Sequence, residues 1–206
     1  MWCYMKHILT VVLMMCCLSN TQAQVREEGA LLYVMIDSAR QVEMCFALDL
    51  TGYDAIVGTS QYHHPAVPAT TKGRIIIPST VVDPRGKRYI VTAVGRAGLQ
   101  GCAKLTEVVL PDSCVAFGDQ ALQGCAQLES ITFPPTMEAI YAKAMSGCSS
   151  LRRVTMLGKI PPRCDENVFD EQTYQKATLV VPEGSMDAYR RAPAWRRFKF
   201  RMTRYE

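Results

Sequence analysis

The sequence predicts a solenoid of stacked coils, β-rich, with short helical or 3-10 turns on the return of each coil. Three observations predict it. Gly101-Cys102, Gly124-Cys125 and Gly147-Cys148 recur at a spacing of 23 residues. Each pair is followed by a leucine three residues on, Leu105, Leu128 or Leu151. An apolar alternation then follows, VVLP over 108–111, ITFP over 131–134 and VTML over 154–157. Self-similarity at a fixed period of this length marks units that bury their hydrophobic face against a neighbouring unit.

Taken in chain order, residues 1–23 read as a secretory leader. Lys6 supplies a positive start, residues 8–18 an apolar run, and Ser19-Asn20-Thr21-Gln22-Ala23 a small-residue cleavage region. The run is too short for the roughly 20 residues a bilayer span requires, and no later segment comes closer, so no transmembrane segment is expected. A competing reading places a lipid anchor on Cys16, because Leu13-Met14-Met15-Cys16 loosely follows the lipoprotein pattern. Met15 argues against it, since that cleavage normally takes a small residue before the cysteine. Removing the leader takes one basic residue and no acidic one from a chain of net charge +4, leaving too little charge to indicate a polyanionic partner. With 49% apolar and 20% charged residues, the remainder has the composition of one ordered domain.

Residues 24–93 are expected to form a β-rich cap and a lead-in coil. Two strand-like runs, 31–36 and 42–50, flank a turn at 37–40 and suggest a hairpin. Residues 58–73, with Pro65 and Pro68, read as a loop. Residues 94–162 hold three full repeats. In each, the leucine and the fourth and sixth residues of the strand point inward: Leu105, Val108 and Leu110, then Leu128, Ile131 and Phe133, then Leu151, Val154 and Met156. Pro111 and Pro134 end their strands, since proline has no amide for the ladder. Gly98-Leu99, Ala121-Leu122 and Ala144-Met145 supply a small and a large residue to each return segment, and Val94, Phe117 and Ile140 a further apolar column. Pro161-Pro162 breaks the pattern. Residues 163–206 then read as a capping strand and helix, with Phe169 and Tyr174 as anchors, Ser185 as helix N-cap, and Tyr189, Trp195 and Phe198 packed on the last coil.

The cysteine column invites a metal or redox reading, but zinc sites in short loops place ligands two to four residues apart. Here the spacing is 23, and each cysteine follows a glycine and precedes Ala103, Ala126 or Ser149. A thiol of this kind serves as a small buried apolar group with a weak donor. Cys45, Cys114 and Cys164 are less constrained, and a bridge among them is left open.

The stretch 77–134, with Val94-Gly95 and Phe117-Gly118 as repeat starts, the Gly-Cys pairs as middles and the proline-ended strands, resembles the BspA-type leucine-rich repeats of bacterial, Bacteroides-like surface proteins. Residues 75–78 with 86–89 resemble the strand and hairpin that precede such repeats. Residues 179–185, Ala188-Tyr189 and 195–198 resemble their closing strand and helix. Two departures stand out. Leu99, Leu122 and Met145 replace the phenylalanine of the Ala-Phe pair, and Ser113, Thr136 and Lys159 replace the asparagine or cysteine of the general leucine-rich template. The first two of these hydroxyl sites are expected to bind turn amides. The resemblance implies a leucine-rich-repeat solenoid acting as a secreted, periplasmic or cell-surface binding module. Its partner would be a protein, by analogy a host matrix or bacterial surface protein in adhesion.

Chemistry finds few candidates. After the leader only His63 and His64 remain, adjacent in the loop, where neighbouring side chains on an extended segment point apart. No HExxH, GxSxG or glycine-rich phosphate loop occurs. No catalytic residue, metal ligand or cofactor is therefore expected, and the chain does not read as an enzyme. The basic run Arg190, Arg191, Arg196, Arg197, Lys199, Arg201 and Arg204 reads as a solvated cap face, ahead of an anionic glycan or membrane surface, with no nucleic acid expected. The binding candidates are the outward strand positions: Thr106, Glu107 and Val109; Glu129, Ser130 and Thr132; Arg152, Arg153 and Thr155. A column from Glu107 through Ser130 to Arg153 grades from acid to base, although no aromatic anchor lies among the nine. The alternative to a binding module is a structural accessory repeat protein, or a hydrolase with an unrecognised site. Intact-mass measurement of the exported chain is expected to show a start at Gln24; a lipid-bearing start at Cys16 would overturn that reading.

Overall fold

In the computed structural model, residues 25–59 and 65–198 are described, Arg26 as backbone alone, and 202–205 as backbone. Residues 1–23, read above as a leader, His63 and His64, and Lys199 and Arg201 lie outside the described residues.

The chain forms two sheets that face each other across one core. Its strands are β1 (Val25–Glu28), β2 (Leu31–Asp37), β3 (Val42–Asp49), β4 (Asp54–Val57), β5 (Lys72–Ile76), β6 (Thr80–Val82), β7 (Arg88–Val94), β8 (Lys104–Val109), β9 (Ala116–Phe117), β10 (Ser130–Phe133), β11 (Ala139–Ile140), β12 (Arg153–Met156), β13 (Arg163–Cys164), β14 (Thr178–Pro182) and β15 (Met202–Tyr205). Two short helices, α1 (Glu171–Lys176) and α2 (Met186–Arg191), and a 3-10 turn at Trp195–Arg197 lie near the end. Sheet I runs β1-β2-β3-β4-β7-β9-β11-β13, with β6 paired to β7. Sheet II runs β15-β14-β12-β10-β8-β5 and is parallel throughout.

Each coil gives one strand to each sheet: β4 and β5, β7 and β8, β9 and β10, β11 and β12, β13 and β14. The stack is therefore longer than the three coils of residues 94–162. The period itself hides the outer coils. Glu107 pairs with Ser130 and Ile131 with Val154, 23 residues apart, whereas Ile75 pairs with Val108 and Val154 with Leu179, steps of 33 and 25. The β6–β7 hairpin lengthens the first of these steps and α1 the second. The expected N-terminal hairpin is β2 and β3, antiparallel, with Leu32 opposite Phe46.

The inward residues meet in the middle. Val94, Phe117 and Ile140 from sheet I face Val108, Ile131, Val154 and Leu179 from sheet II, all buried. Phe117 meets Phe133 edge-to-face at 5.4 Å. Leu105, Leu128 and Leu151, with Leu99, Leu122 and Met145, close the coil interior. Each such side chain contributes about 1.5–3 kcal/mol by leaving water.

The return segments are not helical, contrary to the sequence expectation. They are consecutive turns in which backbone donors alternate in direction. Amides of Gly98, Gln100 and Cys102 bond within the coil, to the carbonyls of Gly95, Ala97 and Leu99. Amides of Ala97, Leu99 and Gly101 bond to the next coil, to the carbonyls of Asp119, Ala121 and Gln123. The second coil repeats this from Gln120, Leu122 and Gly124 to Ala142, Ala144 and Ser146. A helix would turn all these donors inward along its own axis and leave the coils unjoined. Each turn begins with left-handed backbone, at Ala97, Gln120 and Lys143 (φ of 56°, 58° and 55°).

The coils approach closely. A Cβ on Gly118 would lie 2.7 Å from the Gly95 carbonyl carbon, and one on Gly147 would lie 3.1 Å from the Gly124 nitrogen, besides φ of +77° there. Gly118→Ala is expected to lower unfolding free energy by about 1–3 kcal/mol, because the obstacle is backbone and cannot swing away. Lys143→Gly is expected to raise it by up to ~1 kcal/mol, since the left-handed conformation costs a residue with a Cβ about that much. Urea unfolding of both variants measures the opposite signs.

Candidate binding face

Sheet II turns one side to the core and one to solvent, and the parallel register sets the outward side in rows. Arg74, Glu107, Ser130, Arg153 and Thr178 are consecutive partners across β5, β8, β10, β12 and β14. Two residues further along the strands, Ile76, Val109, Thr132, Thr155 and Val180 form a second row. Every member of the second row is β-branched, which suits side chains standing side by side on a pleated surface. At the strand entries, the amide of Glu129 bonds to Thr106, that of Arg152 to Glu129 and that of Thr178 to Arg152, giving a third row of Thr106, Glu129 and Arg152.

The nine candidate positions thus lie on one sheet in three adjacent rows, but two of them differ from expectation. Thr155 is only 7% exposed. It stands mid-sheet between Thr132 and Val180, and its small side chain adds almost no accessible surface. Glu107 does not end the charge gradient: its Oε2 lies 3.2 Å from Nε of Arg74, which precedes it in the row. The pair is exposed and contributes at most about 1 kcal/mol, yet it cancels the local acidity. The row therefore presents Arg153 as its uncompensated charge. Arg74 and Ile76 were outside the sequence reading because β5 precedes the 23-residue repeat; the register of β5 against β8 reveals them.

The cysteine column packs as expected and does more. Cys102, Cys125 and Cys148 are fully buried. The Cys125 thiol donates to the Leu99 carbonyl (3.2 Å), which also accepts the Cys102 amide. The Cys148 thiol donates to Leu122 (3.3 Å), which accepts the Cys125 amide. Each thiol thus ties its coil to the preceding one. Burial pushes the thiol of Cys102 up to about 11 and that of Cys148 up to about 12, so neither forms thiolate at neutral pH. Cys102, Cys114, Cys125, Cys148 and Cys164 form no disulfide, and among the described residues no three His, Cys, Asp or Glu side chains converge as metal ligands.

Ser113 and Thr136 donate to carbonyls of the preceding coil, Val91 at 2.7 Å and Cys114 at 3.0 Å, instead of accepting from turn amides. The amides there are already engaged between coils, as Val115 to Thr92 and Glu138 to Val115 illustrate.

At the C-terminal end, Phe169, Tyr174, Tyr189, Trp195 and Phe198 are all buried and in mutual edge-to-face or stacked contact. The Tyr189 hydroxyl donates to Gly158 and the Trp195 indole to Pro162, fixing α2 and the 3-10 turn on the fourth coil. Ser185 holds the N-cap position, but its hydroxyl donates back to Pro182 at 2.6 Å and caps no helix amide. Within the basic run, Arg197 is not a solvated side chain. It stacks 4.1 Å from the Tyr174 ring and donates to the Glu166 carbonyl and the Glu171 carboxylate. Arg190, Arg191 and Arg196 are exposed. No described helix is long and apolar enough to cross a membrane.

Comparison with known proteins places this architecture. Residues 90–184 match the BspA type leucine rich repeat region in six copies. A leucine-rich repeat protein from Bacteroides capillosus is similar in structure, with a TM-score of 0.54 and 20% identity over 76% of this chain and 97% of that one, which shows the shared fold. A leucine rich cell surface protein from Faecalibacterium prausnitzii (TM-score 0.49, 20% identity, 78% of this chain and 37% of that one) is also similar. So is a leucine-rich repeat protein from Bacteroides ovatus (0.45, 22%, 68% and 36%). No curated protein matches the sequence.

The thiol ladder predicts that Cys125→Ser lowers stability by about 1–3 kcal/mol in urea unfolding, through placing a hydroxyl in an apolar coil interior. Bound metal, measured by elemental analysis, is expected to be absent before and after the substitution; a stoichiometric metal lost with Cys125 would overturn the packing role.

Proposed function

We propose, from the match of residues 90–184 to the BspA type leucine rich repeat region, that this chain is an exported binding module whose protein partner docks on the outward side of sheet II. The observation that carries the reading is the alignment of rows. Five parallel strands hold a polar row, Arg74 to Thr178, beside a β-branched row, Ile76 to Val180, on a rigid surface. Ile76 is 55% exposed, and Val109 and Val180 are partly exposed, so the face offers apolar contact beside the charge of Arg153. Repeat proteins use regular surfaces of this kind for partners, and rigidity limits the entropy lost on binding.

The module is secreted or held at the outer cell surface, which the leader-like residues 1–23 support, and adhesion to a matrix or bacterial surface protein is the activity that fits it. Its two ends act as caps. The β1–β3 region covers the first coil with Leu32, Met44 and Phe46, and the C-terminal aromatic cluster covers the last. Catalysis has no part in this reading, because burial holds the thiols of Cys102, Cys114 and Cys148 protonated. A structural accessory role is the second reading, favoured by the burial of Thr155 and the absence of an aromatic anchor from the face.

The variant Thr132→Arg with Arg153→Glu inverts the charge of one row and interrupts the other. Immobilised protein is expected to capture purified matrix proteins or whole bacteria at least about tenfold more weakly with both changes, a loss of ~1.4 kcal/mol. Equal capture by a variant of unchanged melting temperature would remove the face from consideration and leave the accessory role.

A further inference from the structure

A parallel sheet open at both ends invites extension, and the two ends of sheet II are treated differently. At the β5 end, the Ile77 amide bonds to Val109 on β8. Because backbone groups alternate sides along a strand, the carbonyls of Lys72, Arg74 and Ile76 and the amides of Arg74 and Ile76 point away from β8, along the open edge. Ile76 adds an exposed apolar side chain there. An edge with these properties is a template for another strand.

Arg40 lies across it. Its Nη1 donates to the Lys72 carbonyl at 2.6 Å and its Nη2 to the Arg74 carbonyl at 2.5 Å, so one planar fork occupies two successive edge acceptors as a neighbouring strand would. The hairpin turn between β2 and β3 is built to present this fork. Asp37 accepts from the Arg40 amide at 2.9 Å and from Nε at 2.6 Å, leaving only the two terminal nitrogens to face β5. Gly73, with φ of +77°, carries no side chain at the point of approach: a Cβ there would lie 3.4 Å from Arg40 Nη1. The β5–β8 register also shifts between Gly73 and Arg74, a bulge of the kind that protects edges.

We infer that Arg40, oriented by Asp37, is a gate on the β5 edge, and that the strand this edge accepts when the gate is withdrawn is β15 of a second copy of this chain. β15 is the opposite edge of the same sheet and runs parallel to every strand in it. Placed against β5 of another molecule it continues the sheet without reversing direction. The contact joins unlike surfaces, so it is not used up at a dimer and repeats from copy to copy, into an open row or a larger ring. Pairing of β5 with β5, by contrast, would be two-fold and stop at a dimer.

Sedimentation velocity of the purified full chain over a range of concentrations tests this. Arg40→Ala is expected to show a concentration-dependent series extending beyond the dimer, with weight-average mass at least about twice that of the unsubstituted protein. Arg40→Ala with Ile76→Pro is expected to return the unsubstituted mass, because proline removes an outward amide and leaves the β5–β8 bonds intact. Arg40→Lys, which reaches only one carbonyl at a time, should be intermediate. The inference fails if folded Arg40→Ala, judged by circular dichroism, keeps the unsubstituted mass. It also fails if association stops at a dimer or survives Ile76→Pro. If both Arg40 variants unfold, the arginine is a folding contact and not a gate, which equally overturns it.

Discussion

The constraint on which the rest of the structure depends is the hydrogen bonding of each coil to the next through its turns as well as its strands. Strands in a sheet stand about 4.8 Å apart, and in this chain the return segments keep comparable proximity because alternate amides of the turns donate across the gap. That closeness explains features that otherwise look unrelated. Gly118 faces the Gly95 backbone, where a side chain has no room. Ala97, Gln120 and Lys143 hold left-handed backbone at the same place in three successive coils. Cys125, Cys148, Ser113 and Thr136 are small donors that bond to carbonyls of the preceding coil.

The same constraint explains why the middle coils of the molecule were legible in the sequence and its outer coils were not. Where two coils have equal length, equivalent residues must be alike, and Gly-Cys-x-x-Leu repeats without a slip. Where a hairpin such as β6–β7 or a helix such as α1 is inserted, the coil still closes and still pairs, but the spacing changes. Ile75 and Leu179 occupy the same inward row as Val108 and Val154, yet no fixed period connects them. The two-residue strands β9, β11 and β13 were hidden for another reason. Two residues cannot display an alternation, so Phe117 and Ile140 were visible as an apolar column and not as a second sheet. Outward rows were half legible. The alternation gave the correct side for Glu107, Ser130 and Arg153, but the neutralising Arg74 and the burial of Thr155 depend on what stands in adjacent strands.

Long-range polar contacts were the least legible. Arg40 meets β5 from a turn more than 30 residues away, and Arg197 meets Tyr174 and Glu171 in the same manner. Neither lies in a motif, because a guanidinium that accepts its geometry from the fold needs no particular neighbours in sequence. The cysteines show the converse. Their sequence pattern was conspicuous and suggested chemistry, but the thiols sit where water is excluded, and desolvation disfavours the thiolate on which metal binding or nucleophilic attack depends.

These constraints also limit what the outward face of sheet II can bind. Five strands at about 4.8 Å and three rows within four residues of each strand define a surface of a few hundred Å², less than half of the ~800 Å² that each partner buries in a stable protein interface. Flat β-branched rows provide shape and rigidity, but no aromatic or arginine pocket in which a partner could bury an anchor. A partner confined to this face would therefore be held weakly, and firm attachment would come from many copies engaging one surface at once. For a module acting in that way, control over the open edges of the sheet matters as much as the face itself. A molecule whose β5 edge is closed by Arg40 presents its face singly, while one whose edge is open lines up its face with that of the next copy in register along a continuous parallel sheet.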